Sequence, residues 1–339
     1  MFARHARTTG GGRRGRAALR VLAVACVLAA TGTLSTVAHA EGSVDGDELR
    51  YEDNTKYDSE LQHAADAWNE VGDINVAPDD FWSNQDVDVY DVDRDVSWDG
   101  RWIDDWFGDD DIELNSRYLD GYDSFDRNGV VTHEFGHALG LDHIDGQGAV
   151  MESVTTGRVT DVPTQPDVDA YNDIWGRSTG DSAQRSAPSA DGPRMRAGLV
   201  TDFADDAKLA GFADDVFVGT VLAKQGQKTV SGLPETQYSV RVDKSFKGDA
   251  AGTTTVNQQG GLLDGVAEPL LFEGDRLLRP GQTYLFATTD EAAFGWRTLV
   301  PVYGDRHLGA ADSGESRVSG AVGERWTEAV RNQVRFSGR

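Results

Sequence analysis

The hydrophobic rhythm of the chain changes twice. Between residues 86 and 100 the run DVDVYDVDRDVSWDG alternates Asp with Val and Tyr, the period of a strand with one solvated acidic face. From Val130 to Leu139 the spacing suits a helix, and Gly140 stands where helices commonly end in a left-handed residue. Beyond residue 199 a period of two returns in short runs at 215–222, 236–246, 253–259, 282–289 and 296–304, separated by turn residues. Residues 321–336 then read as a terminal helix with Trp326, Val330 and Val334 on one stripe. Between the halves, 176–198 is rich in Gly, Ser, Ala and Pro with few large apolar residues, the composition of a linker. The expected division is a domain over 41–176, a linker over 177–198 and a β-rich domain with a C-terminal helix over 199–339. LPETQ (233–237) has the form of a cell-wall sorting signal, but it lacks the apolar tail that must follow and reads as a loop between strands.

Residues 1–40 are set aside from the fold. The first twenty hold six arginines and no acid, an apolar stretch too short and interrupted for a good membrane span follows, and AHA (38–40) is a small-x-small cleavage site. This predicts secretion to an extracellular location. Cys26 is the chain's one cysteine and lies in that signal, so the mature protein relies on no disulfide. Removing the signal takes the net charge from −25 to −31, which argues against nucleic acid and anionic membranes as partners. A monomer is expected. The acids concentrate in 86–100 and 104–114, where oxygen ligands on loops also make Ca²⁺ a candidate ion.

The candidate chemistry lies in VVTHEFGHALGLDH (130–143), with three of the chain's seven histidines. On a helix His133 and His137 stand one turn apart on one face, with Glu134 beside them. A turn at Gly140 can bring His143 back toward the first two rings. Three imidazoles with a fourth position left to water form the donor set of a catalytic zinc site. Glu134 lies too far along the helix face to ligate; it is the candidate general base for the bound water, and then the acid for the leaving nitrogen.

The spacing H-E-x-x-H-x-x-G-x-x-H is the metzincin signature, and Met151, eight residues past His143, stands where its Met-turn is expected. Residues 48–176 resemble a metzincin protease domain, matrixin-like and snapalysin-like. LRYED (49–53) resembles the family's first strand and SELQHAADAWNEV (59–71) its first helix, with Leu61, Ala65, Trp68 and Val71 on one stripe. DIELN (111–115) resembles the edge strand that lines the cleft, and TQPDVDAYNDIWG (164–176) the closing helix. His143 is the matrixin choice of third ligand, where snapalysins carry Asp; Asp142 is a rival. Residues 72–132 contain no histidine, so one zinc is expected, without the matrixins' structural ion.

The resemblance implies an α+β protease domain with a mixed twisted sheet and an active-site helix. A protein or peptide substrate would be hydrolysed by a zinc-activated water, lying along Asp111–Asn115 with its pocket walled by Glu152–Pro166. The later strands resemble, loosely, netrin-like domains of the tissue-inhibitor class, a five-stranded OB-like barrel. The function implied is a secreted zinc endopeptidase. The alternative is a latent protease, or a binding protein, controlled by its inhibitor-like barrel.

Overall fold

A computed structural model describes residues 43–80, 85–105, 108–176, 192–309, 318 and 320–338. In chain order it has β1 (Glu48–Asn54), α1 (Asp58–Asn69), β2 (Asn75–Pro78), β3 (Val87–Val92), β4 (Trp98–Ile103), β5 (Asp110–Asn115), α2 (Ser116–Leu119), α3 (Ser124–Ala138) and α4 (Gln165–Ile174). There follow β6 (Arg194–Leu199), α5 (Asp206–Phe212), β7 (Asp215–Val230), β8 (Leu233–Lys247), β9 (Thr253–Gln259), β10 (Gly261–Leu262) and β11 (Pro269–Phe272). The last elements are β12 (Thr283–Glu291), β13 (Trp296–Leu299), β14 (Asp305–Leu308) and α6 (Ala321–Arg331). The signal segment, with Cys26, lies outside the described residues, as do 177–191 of the expected linker.

The first sheet runs β10-β11-β6-β4-β5-β3-β1-β2. β2, β1, β3 and β5 are parallel, whereas β4 runs antiparallel to β5 and to β6. One face is covered by α1 and α3, whose apolar stripes meet Leu49, Val87, Val89 and Ile112 in the core. Trp68 ties the two helices together by donating Nε1–H to Thr132 O at 2.8 Å. Local chemistry sets the helix starts: Asp58 and Glu60 lie in the first turn of α1, and the Asp123 carboxylate caps α3 by accepting from Asp126 N.

The second sheet runs β13-β9-β8-β7-β12-β14, with a further pairing of β13 to β12. The pairings β7–β8, β8–β9, β9–β13, β13–β12 and β12–β7 therefore return to their starting strand. Phe217, Val221, Tyr238, Val240, Val256 and Phe286 form a core among these strands.

Several expectations are corrected. Residues 86–100 form parts of two strands rather than one, and β4 is buried along its whole length. The break at 93–97 turns Arg94 inward onto Glu235 and Glu291, at 2.6 and 2.8 Å. Asp111–Asn115 is an interior strand between β3 and β4, with Glu113 and Asn115 buried, so no substrate can pair along it. The expected linker ends in strand: Arg194–Gly198 belong to β6, because a chain of small and long-stemmed residues suffices where β4 offers an unpaired edge. β6, β10 and β11 all join the first sheet, so strands from both sides of 198/199 share it. LPETQ opens β8 instead of forming a loop. The terminal helix stops at Arg331, leaving Val334 exposed beyond it.

Candidate active site

α3 presents His133 and His137 one turn apart, and Gly140, at φ +87°, reverses the chain so that His143 returns to them. Gly140 is needed there because a Cβ disfavours the left-handed conformation. The Nε2 atoms of His133 and His143 lie 3.0 and 3.2 Å from His137 Nε2. His133 Nδ1 is 2.9 Å from Val150 O, and His137 Nδ1 is 2.8 Å from Leu141 O. A carbonyl can only accept, so both Nδ1 atoms donate and both Nε2 atoms present lone pairs to each other. Facing lone pairs at this distance repel unless a cation lies among them. Two nitrogens on a tetrahedral zinc, each at about 2.05 Å, stand roughly 3.3 Å apart, and three imidazoles suit that ion's donor preference. The residues therefore fit zinc. Burial holds the His133 and His137 rings well below the usual histidine range, and His143 is lowered by the same cause. The rings are therefore neutral and able to ligate.

Met151 lies against the inner side of α3. A Cβ on Gly136 would come within 2.2 Å of Met151 Sδ and 2.9 Å of Trp68, so a glycine in the motif lets the turn approach. Asp167, buried at the start of α4, fixes that turn: its carboxylate accepts from Val150 N (2.9 Å), Met151 N (3.1 Å) and Thr164 N (2.7 Å). The Val150 carbonyl that orients His133 is thereby itself held.

Glu134 is fully buried, and its carboxyl is raised well above the usual range by burial and then by the charge of Asp99. Its Oε1 accepts from Gly198 N at 3.3 Å. Beside it, Asp99, pushed up to about 6 by burial, accepts from Tyr122 Oη at 2.9 Å. Arg158 reaches under α3 through the space left by Gly129, whose added Cβ would lie 2.7 Å from its Cδ. Thr155 and Arg158 come from the expected pocket wall, and Thr155 with Asp99 makes the surroundings of Gly198 polar. None of Asp99, Thr155 and Arg158 carried a sequence signal. Asp167 did, as the fourth residue of TQPD, a Thr-x-x-acid capping pattern.

Asp142, the rival ligand, instead pairs with Arg196 at 2.7 Å. The acidic stretches act as hydrogen-bond acceptors: Asp86 takes Arg50 N, Asp88 takes Asn54 Nδ2, Asp91 takes Thr55 Oγ1 and Asp110 takes Ser43 Oγ. Among the described residues a second acid group, Asp215, Asp249 and Asp290, has its charge met by Arg297.

No curated protein matches the chain. Among solved structures, the archaemetzincin of Methanopyrus kandleri is 11% identical over 40% of this chain and 99% of its own, with a TM-score of 0.28. The ECX AB5 holotoxin in its GM1-bound form is 16% identical over 44% of this chain and 82% of its own, with a TM-score of 0.25. Residues 32–176, which contain α3, His143 and Met151, match the family model for matrixins, and over that segment the protein has a metzincin-like metallopeptidase fold.

Proposed function

We propose that this protein is a secreted zinc-dependent endopeptidase with His133, His137 and His143 as ligands, Glu134 as general base and acid, and Met151 as the structural Met-turn. The observation that carries this is the convergence of three Nε2 atoms, two of them with Nδ1 anchored on a carbonyl, beside a buried carboxyl that already accepts from an amide N–H. A zinc ion on the rings would supply an acidified water and a positive charge for the developing oxyanion. Glu134 takes the water's proton. It then passes that proton to a leaving amide nitrogen placed where Gly198 N lies. The substrate lies along β4, not β5, in the place that β6 holds in this structure, and is gripped through its main chain.

Secretion rests on the character of residues 1–40, and peptide substrates follow from the chemistry. The mature chain acts as a monomer, with no nucleic-acid or membrane partner, on the grounds of its acidity. The cyclic pairing of β7, β8, β9, β13 and β12 supports the reading of the second half as an OB-like, netrin-like barrel. The acids of 86–114 named above serve protein donors, and their arrangement gives calcium no support.

The test is metal content read beside hydrolysis of casein. Wild type and Glu134→Gln should each hold about one zinc, with hydrolysis falling by at least about a hundredfold in the variant; His133→Ala and His137→Ala should hold none. A Glu134→Gln protein that cleaves like its parent would sink the assignment.

A further inference from the structure

β6 lies where an extended peptide would lie. It runs antiparallel to β4, with Trp98 opposite Leu199 and Ile103 opposite Met195. On its other edge Leu199 bridges to Val154 in parallel, donating to Ser153 O at 2.8 Å and accepting from Thr155 N at 2.9 Å. A segment held between two stretches of backbone is bound through its main chain, as in β-strand addition. The strand crosses the site at Glu134: Gly198 N donates to Oε1, which puts this nitrogen within proton-transfer reach of the carboxyl. In this register the peptide bond at the reacting position is Ala197–Gly198. The closest passage falls on a residue without a side chain, since a Cβ on Gly198 would lie 3.0 Å from Asp99 Oδ1 and 3.4 Å from Glu134 Oε1.

The strand is also anchored. Arg196 is buried, pairs with Asp142 and with Glu273 at 2.7 and 3.1 Å, and lies over the Trp102 ring at 5.4 Å. Arg194 and Met195 pair with Leu271 and Phe272 of β11. An occupant tethered in this way competes at an effective concentration on the order of millimolar before any of these anchors is counted.

We propose that Arg194–Leu199 is a built-in occupant of the cleft, bound in a substrate's register with the Ala197–Gly198 peptide at Glu134, and that the folded chain cleaves only in the fraction of molecules from which this strand has withdrawn. The inference rests on the peptidase reading above. It places latency in six residues ahead of the second sheet rather than in the sheet itself.

The experiment uses the zinc-loaded full chain and a fluorescent peptide hydroxamate as probe, with metal content measured in parallel. Leu199→Pro removes the N–H given to Ser153 and should raise probe affinity by about tenfold or more. On wild type, saturating probe should speed hydrogen exchange of the Gly198 and Leu199 amides, a readout that needs no catalysis and survives a misfolded variant. Equal affinity for both forms, or bound probe with both amides as protected as before, overturns the inference while leaving the peptidase reading intact. Zinc in neither form overturns both.

Discussion

Gly136 shows how much a single motif position carries beyond its ligands. The two histidines and the glutamate of HEFGH were legible because helical spacing alone aligns them, and Met151 because a methionine stood at the expected separation. The reason for glycine at 136 was not legible, since it depends on Met151 and Trp68 arriving from other elements. Gly136→Ala should cost about 2–3 kcal/mol in denaturant unfolding, the scale of overpacking in a full core. Combined with Met151→Ala, the two costs should fall short of their sum, because truncating the methionine removes the nearest clash. Strict additivity would show that the contact is not the cause. Asp99 and Arg158 were invisible for a related reason: an isolated acid or arginine in sequence carries no sign of the buried position it will take.

At the scale of elements, periodicity found α3 and the later strands, while the resemblance to metzincins supplied β1, α1 and α4 and misplaced the cleft on β5. Alternating Asp and Val suggested one strand over 86–100, because such a pattern does not show that Arg94 turns inward at the break. β6 was hidden because MRAGL lacks the β-branched residues that mark strands; an edge strand's unmet donors and acceptors can pair with nearly any backbone. α4 was legible and does more than close the domain. Its Asp167 accepts three backbone N–H groups, two of them from the Met-turn. Asp167→Ala would leave those donors buried and unpaired, at a cost of about 3 kcal/mol or more. Because Val150 also orients His133, zinc affinity should drop by about tenfold to a hundredfold in chelator competition. A variant that unfolds more easily yet binds zinc as tightly would separate the turn from the metal site.

Across the whole molecule, the halves that composition divided are joined by charge as well as by strands. Arg94 meets acids 141 and 197 residues further on, a separation no local pattern encodes. The chain's acidity also sets its response to pH. Asp110 and Asp111 are each pushed up to about 7, first by burial; the charge of Asp104 adds to this at Asp110, and those of Glu113 and Asp88 at Asp111. Unfolded, these carboxyls release their protons near pH 4. Between about 4 and 7 the folded state therefore binds more protons than the unfolded one, so stability falls as pH rises through that window and flattens above it. The site histidines, held below their usual range, act in the opposite sense, but only where unfolded imidazole takes up protons, below about 7. The carboxyl effect is thus cleanest from pH 8 down to 7. Thermal unfolding of the zinc-free protein at low salt should give a higher Tm at pH 7 than at pH 8, with the difference reduced in Asp110→Asn and further reduced when Asp111→Asn is added. A higher Tm at pH 8 in the parent, or the same pH difference in all three proteins, would mean that these two carboxyls are ionised in the fold and that other groups set its response to pH.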